Sequence, residues 1–434
     1  MSVEALYLGV SREIITPNVG CNLYGYDPNL YSTCVNDDLT ATAYYFKQGS
    51  VQTIILNLTI CSINNAITAT LLNDISLATG VPSEHILIHS THTHSGPNVA
   101  GSSGWGDVDV KYLNEILLPK VVKVCVDAMI SPVPVKMGVA TGKSLVGINR
   151  RELNSQGKIK LGQNPDGVFN PDMTVVSFIS EKGVVGNFIH YGCHGTASGL
   201  NTEITRDWSG PMVDSLERLN GGLTAFFNGP EGDIGPRLKN GKTTGDRSVN
   251  DALELGEIAK KDALDIYRNV TEFKTPKLSV KRYKVKLPYD KRIPLDKAIE
   301  GFKEFENRTE NIYVAKRAYF ESVIKSYKNG YVELDGEYFY QTIIAFGDVA
   351  IVGFPYELFA GIGIKIKDAK VFEKTLVFAL CNGGNGYFPT HEEIPLGGYE
   401  VNSFKVKTVQ PISSNADEFA ISQTIENLKN IKEI

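Results

Sequence analysis

The sequence predicts an α/β protein with a mixed β-sheet core flanked by helices, and three observations predict it. Short apolar runs alternate with helix-length amphipathic segments through the N-terminal third and the middle of the 434 residues. Strand-like segments return towards the C-terminus. No internal repeat, low-complexity tract or long Pro/Ser linker divides the chain, so residues 1–434 read as one integrated unit with 291–330 as a helical surface excursion.

Composition narrows the class further. Apolar residues make up 42% and charged residues 21%, the balance of a soluble globular protein. A net charge of −5 without a Lys/Arg run excludes a nucleic-acid footprint. No apolar run is long enough to span a membrane. The opening MSVEALYLGV lacks a basic region followed by an apolar stretch, which predicts no signal peptide and a cytoplasmic location. Six scattered cysteines without a C-x-x-C pair are neither a disulfide framework nor a cysteine zinc ribbon, and read mainly as small buried residues.

In order along the chain, ATAYYFKQG and VQTIILNLTI read as paired strands around a Gly turn. NNAITATLLNDISLATG is a helix with an Asn start and a Gly stop. VPSEHILIHS is a short buried strand that delivers THTHSGPN to a loop. Residues 109–129 repeat at helical spacing, with Pro119 as a kink. DMTVVSFIS and VVGNFIHYGCHG are strands joined at Lys182-Gly183; a helix opens near Pro211, and LTAFFNG is another buried strand. LELGEIAKKDALDIYRNV is an amphipathic helix, and LSVKRYKVKLPY a half-exposed strand. The charged stretch 291–328 is helical and solvated, with no functional part expected. YFYQTIIAF, VAIVGFP and TLVFAL are strands, and a short helix ends the chain.

Histidine carries the chemistry. Of seven in the chain, His89, His92 and His94 fall within six positions, and His190 and His194 sit at a second strand end. In an extended segment His92 and His94 point to one side, and paired imidazoles suit zinc. Gly192 and Gly195 argue against a helix around the second pair, so one of His190 and His194 is expected as a ligand. Asp207, ahead of a helix, reads as a cap.

THTHSGP, CHGTASGLN with ITRDWSGP, NGPEGDIGP, FPYELF and NGYFPTHEEIPLGGYE occur in the order seen in neutral ceramidases, and GVSREIITPNVGCNLYGY resembles that family's start. The resemblance implies a neutral-ceramidase-like catalytic domain without the C-terminal immunoglobulin-like domain, and a single Zn²⁺ cofactor. By position it implies His92, His194, Glu357 and Tyr387 as metal ligands, His94 as proton shuttle, and Tyr399 facing the substrate carbonyl. Arg150, in the N-R pair of GINRRE, joins the catalytic set, and Asp233 and Gly235 are the implied substrate-binding positions. The set is chemically coherent, since two imidazoles and a carboxylate leave room for water on zinc, and zinc-activated water is a nucleophile at neutral pH.

The chain departs from the family at Gly235, which replaces a serine. A mechanism needing that hydroxyl is excluded, whereas the zinc route survives. The expected function is therefore hydrolysis of an N-acyl amide other than ceramide. A zinc esterase or lactonase, or a metal-bound binding protein with a degenerate site, are the alternatives. The expected partner is a small-molecule N-acyl substrate; oligomeric state is left open.

Overall fold

The computed structural model describes residues 4–434, so the first three positions of the MSVEALYLGV opening lie outside the described residues. Eight strands form the larger sheet: β1 (Leu6–Ile14), β2 (Thr40–Gln48), β3 (Val51–Leu58), β4 (Ile86–Ser90), β5 (Val133–Lys143), β6 (Asp172–Ser180), β7 (Gly183–Tyr191) and β8 (Leu223–Asn228). Their order is β8-β7-β6-β5-β1-β2-β3-β4. The inner pairings are antiparallel, while β3/β4 and β7/β8 at the two edges are parallel. A second sheet stacks β9 (Leu278–Pro288), β10 (Gly336–Phe346), β11 (Val349–Gly353) and β12 (Lys374–Phe378) in sequence order, its last pair parallel.

The alternation of side chains along each strand builds four layers. On β2, Tyr44 and Phe46 face the second sheet while Ala41, Ala43 and Tyr45 face outward onto helices. The space between the sheets is filled by aromatic rings: Phe46, Phe178, Phe188, Phe227, Phe346 and Phe378 are all buried there. Helices Asn65–Thr79 and Leu118–Ala128 cover one half of the large sheet, and Ser209–Asn220 and Val249–Tyr267 the other. Ala360–Asp368, Tyr399–Lys405 and Ala416–Lys432 cover the small sheet. The last of these runs to Lys432 and is longer than the short terminal helix expected.

Local chemistry explains several boundaries. The Asn64 side chain caps the first helix by accepting from Ile67 N–H, and Gly80 closes it at φ 72°. Pro119 does not kink a regular helix; the turn before it, Leu113–Leu117, widens to a π-turn, so the ring sits at the start of the next helix. Two large-sheet strands are hidden in the sequence: β5 reads VPVKMGVATGK, whose proline and glycines mask a strand, and β1 carries charges on a half-exposed face.

The parallel pairings place the C-terminal ends of several strands at one rim, the usual site for a ligand in such sheets. Asn228 N–H donates to His89 Nε2 at 2.9 Å, Gly229 N–H to the Tyr191 carbonyl at 3.0 Å, and Ala379 N–H to the Asn228 carbonyl at 3.0 Å. The two sheets are therefore stitched together where β4, β7, β8 and β12 end.

Candidate metal centre and its cavity

His92 follows β4 in the left-handed region, with φ 69°, a conformation a non-glycine residue holds only when its surroundings fix it. Its N–H donates to the Ile60 carbonyl at 3.0 Å, and its Nδ1–H donates to the Cys61 carbonyl at 2.9 Å. His194, after β7, is held the same way: Nδ1 lies 2.7 Å from the Glu231 carbonyl and 3.0 Å from that of Ile234. Both rings thus carry their proton on Nδ1 and turn an Nε2 lone pair inward. Glu357 comes from the short strand Glu357–Leu358, which pairs in parallel with Tyr387–Phe388 and sets Glu357 directly beside Tyr387.

Glu357 Oε2 lies 3.4 Å from His92 Nε2 and 3.3 Å from His194 Nε2. Ligands at about 2.0–2.1 Å in a tetrahedron stand roughly 3.3–3.4 Å apart, so these separations fit a zinc-sized ion. Among the described residues the buried His194 Nε2 and Glu357 Oε2 have no hydrogen-bond partner, which is costly for polar atoms unless a ligand satisfies them. Burial opposes charge on Glu357, yet the neighbouring histidines hold its pKa well below the usual carboxylate range. Burial opposes charge on His92 too, yet Cys61 and Glu357 raise its pKa. The cluster favours positive charge at its centre, and its donors suit a divalent cation of the zinc type.

His94 stands beside this set. Its Nε2 is 3.3 Å from His92 Nε2, but it groups with His92 and Cys61 and not with His194 and Glu357. The ring is wedged against Gly25, where a Cβ would come within 2.3 Å of Nδ1, and against Tyr26. Burial, then His92 and His194, push its pKa well below normal and leave the ring neutral.

Arg150 reaches the centre through a neighbour and not from the cavity wall. Its Nη2 donates to the Tyr387 hydroxyl at 3.0 Å and to the Gly232 carbonyl at 2.8 Å. Its Nε lies 2.9 Å from Glu400 Oε1, close enough for charge pairing but out of line for a hydrogen bond. Arg151 holds the other Glu400 oxygen at 2.8 Å and also pairs with Glu393. The Tyr387 ring stacks on His194, with centroids 6.3 Å apart, and meets Tyr399 edge-on.

Two expected substrate contacts lie elsewhere. Asp233 is buried and accepts from Ala360 N–H at 2.7 Å, capping the helix Ala360–Asp368, and from Asn149 Nδ2 at 3.2 Å. Gly235 pairs with Ile148, and a Cβ there would meet Thr243 Cβ at 2.6 Å, so it faces a packed side chain and not the cavity. Asp207 does not cap the helix Ser209–Asn220 as expected, since that helix has no side-chain cap; it accepts from Ala197 and Ser198 N–H in the loop after β7 and from Trp208 N–H.

A cavity of about 450 Å³ opens over the centre, lined by His92, His94, Glu357, Tyr387 and Tyr399. Its opposite wall comes from helix Asn311–Lys328, through Ala315, Ala318, Tyr319 and Ser322. The charged stretch expected to be only a solvated surface feature therefore helps enclose the site. Sequence reading also missed Cys61, Glu231, Glu400 and Lys407. Glu231 is fully buried with neither carboxylate oxygen hydrogen-bonded; only its place in NGPEGDIGP hinted at it.

No protein-family model and no curated protein sequence matches the chain. Solved structures do. A neutral ceramidase from Pseudomonas aeruginosa superposes with a TM-score of 0.77 at 16% identity, covering 100% of this chain and 75% of that one. A ceramidase complexed with C2 gives a TM-score of 0.73 at 16% identity, over 99% and 76%. The chain has the neutral-ceramidase fold.

Proposed function

We propose that this protein is a zinc-dependent hydrolase that cleaves an N-acyl amide bond. The observation that carries the reading is the His92–His194–Glu357 set: its inward nitrogens and carboxylate oxygen stand at tetrahedral spacing beneath a cavity, and His194 Nε2 and Glu357 Oε2 are buried without a partner among the described residues. Tyr387 is the fourth proposed ligand. Zinc, when bound, supplies Lewis acidity and lowers the pKa of water towards about 7.

The remaining steps belong to the protein. His94, neutral and within the cavity, takes the proton from the attacking water and passes it to the departing amine. Tyr399 keeps its hydroxyl proton, since burial and Glu357 raise its pKa, and donates to the oxygen that gains charge during attack. Arg150, held by Glu400, steadies the Tyr387 hydroxyl and is a positioning residue. The walls also carry Ser62, Asn64, Ser102, Ser103, Asn385 and Ser403. They stand among Ala100, Trp105, Ala315, Ala318, Phe404 and Val406, so the cavity offers apolar wall for an acyl group beside polar groups for an amide.

The test compares amide and ester analogues with the same acyl group, alongside ceramide. Chelator-sensitive turnover of the amide is the expected outcome. Turnover of the ester alone would make the protein an esterase, and turnover of neither would leave a metal-bound binding protein.

A further inference from the structure

Lys407 lies just beyond the helix Tyr399–Lys405 and lines the same cavity. Its amine differs from an ordinary surface lysine: Nζ is buried and has no hydrogen-bond partner among the described residues. Among the described residues no carboxylate lies within ion-pair distance of it, and Nζ stands over the ring face of Tyr356, 4.4 Å from the centroid. Of the two carboxylates that act on it from a distance, Glu337 is engaged by the Tyr289 and Tyr356 hydroxyls at 2.8 and 3.2 Å, and Glu357 belongs to the proposed metal centre. A buried cation without a counter-charge is costly and is retained where a partner arrives.

We propose that Lys407 recognises a carboxylate carried by the substrate, so that the enzyme acts on N-acyl compounds bearing a free acid. This rests on the reading of the cavity as an N-acyl hydrolase site. Lys407 is the one lysine or arginine among the described residues that line the cavity. Burial lowers its pKa to about 7, and an incoming carboxylate would restore its charge by direct pairing. The acid could sit on the amine portion or at the far end of the acyl chain; both present the same group.

The experiment uses the zinc-loaded protein with three substrates of matched size: an N-acylglycine, an N-succinyl amine and a neutral N-acylethanolamine. Wild type should favour one of the acids over the neutral compound by roughly 10- to 100-fold in kcat/KM, the worth of a charged hydrogen bond. Lys407→Met, which keeps the apolar stem, should collapse that ratio through KM, and Lys407→Arg should recover part of it. Calorimetric binding of the N-acylglycine is measured in parallel. A ratio near one in wild type, or one unmoved by Lys407→Met, overturns the inference while amide turnover leaves the hydrolase reading standing. Lys407-dependent binding without turnover of any substrate does the reverse: it supports recognition and sinks the hydrolase reading.

Discussion

The same two strands each carry a pair of histidines, and the members of each pair have different fates. His89 and His190 lie inside β4 and β7; His92 and His194 lie two or three residues past their ends. Within the strands the rings are spent on architecture. His89 Nε2 accepts the Asn228 N–H, and His190 Nε2–H donates to the Val377 carbonyl at 2.9 Å. Past the ends, His92 and His194 each give Nδ1 to a backbone carbonyl and keep Nε2 for the centre. Histidine clustering alone does not mark a metal site. What marks it is the ring nitrogen the backbone leaves free.

The difference can be broken from the metal side first. His194→Ala should remove the metal and all measurable turnover while the chain stays folded, as read by elemental analysis and circular dichroism. Retention of both would place His194 with the structural pair. Next comes His94→Ala, which should keep the metal and lower kcat by roughly 10²–10⁴-fold. Loss of metal instead would make His94 a ligand.

Arg150→Met tests the layer behind the ligands. Because Arg150 donates to the Tyr387 hydroxyl, metal affinity should fall by roughly 10- to 100-fold, the usual cost of removing such a support. Unchanged affinity in a metal titration would show that Tyr387 does not depend on it.

The smallest effect belongs to the architectural histidines. Burial holds His190 at about 4 against 6.5 for a free imidazole. Between those values the unfolded chain binds a proton that the folded chain does not. Stability is therefore full above about 6.5 and falls as pH drops towards 4. His190→Gln, which keeps a donor for Val377, should retain metal and show a flatter loss of Tm from pH 7 to pH 4.5. An acid limb as steep as wild type would count against it.

The sequence carried much of this. Short apolar runs bounded by turn residues disclose β2, β3, β7 and β8, and Asn64 and Gly80 bracket a helix because caps act locally. THTH and CHG stood out because chemistry concentrates at strand ends. The rest depends on contacts between distant segments. Glu400 is buried by charge pairing with Arg150 and Arg151, some 250 residues earlier in the chain, and no local pattern announces that. Helix Asn311–Lys328 looks solvated because much of its surface is charged, yet its small residues close the cavity. Only a motif points to Gly235 as a substrate-site position; its backbone pairing and Thr243 put it behind the wall.

The central claim is that His92, His194 and Glu357 form one divalent-metal centre on which hydrolysis depends. Metal content and amide turnover measured on the same samples, before chelation, after it and after zinc is restored, test this most directly. The account predicts about one zinc per chain, loss of turnover with the metal, and recovery of both in wild type but not in Glu357→Gln. Full turnover in metal-free protein, or zinc bound equally well by Glu357→Gln, would contradict it.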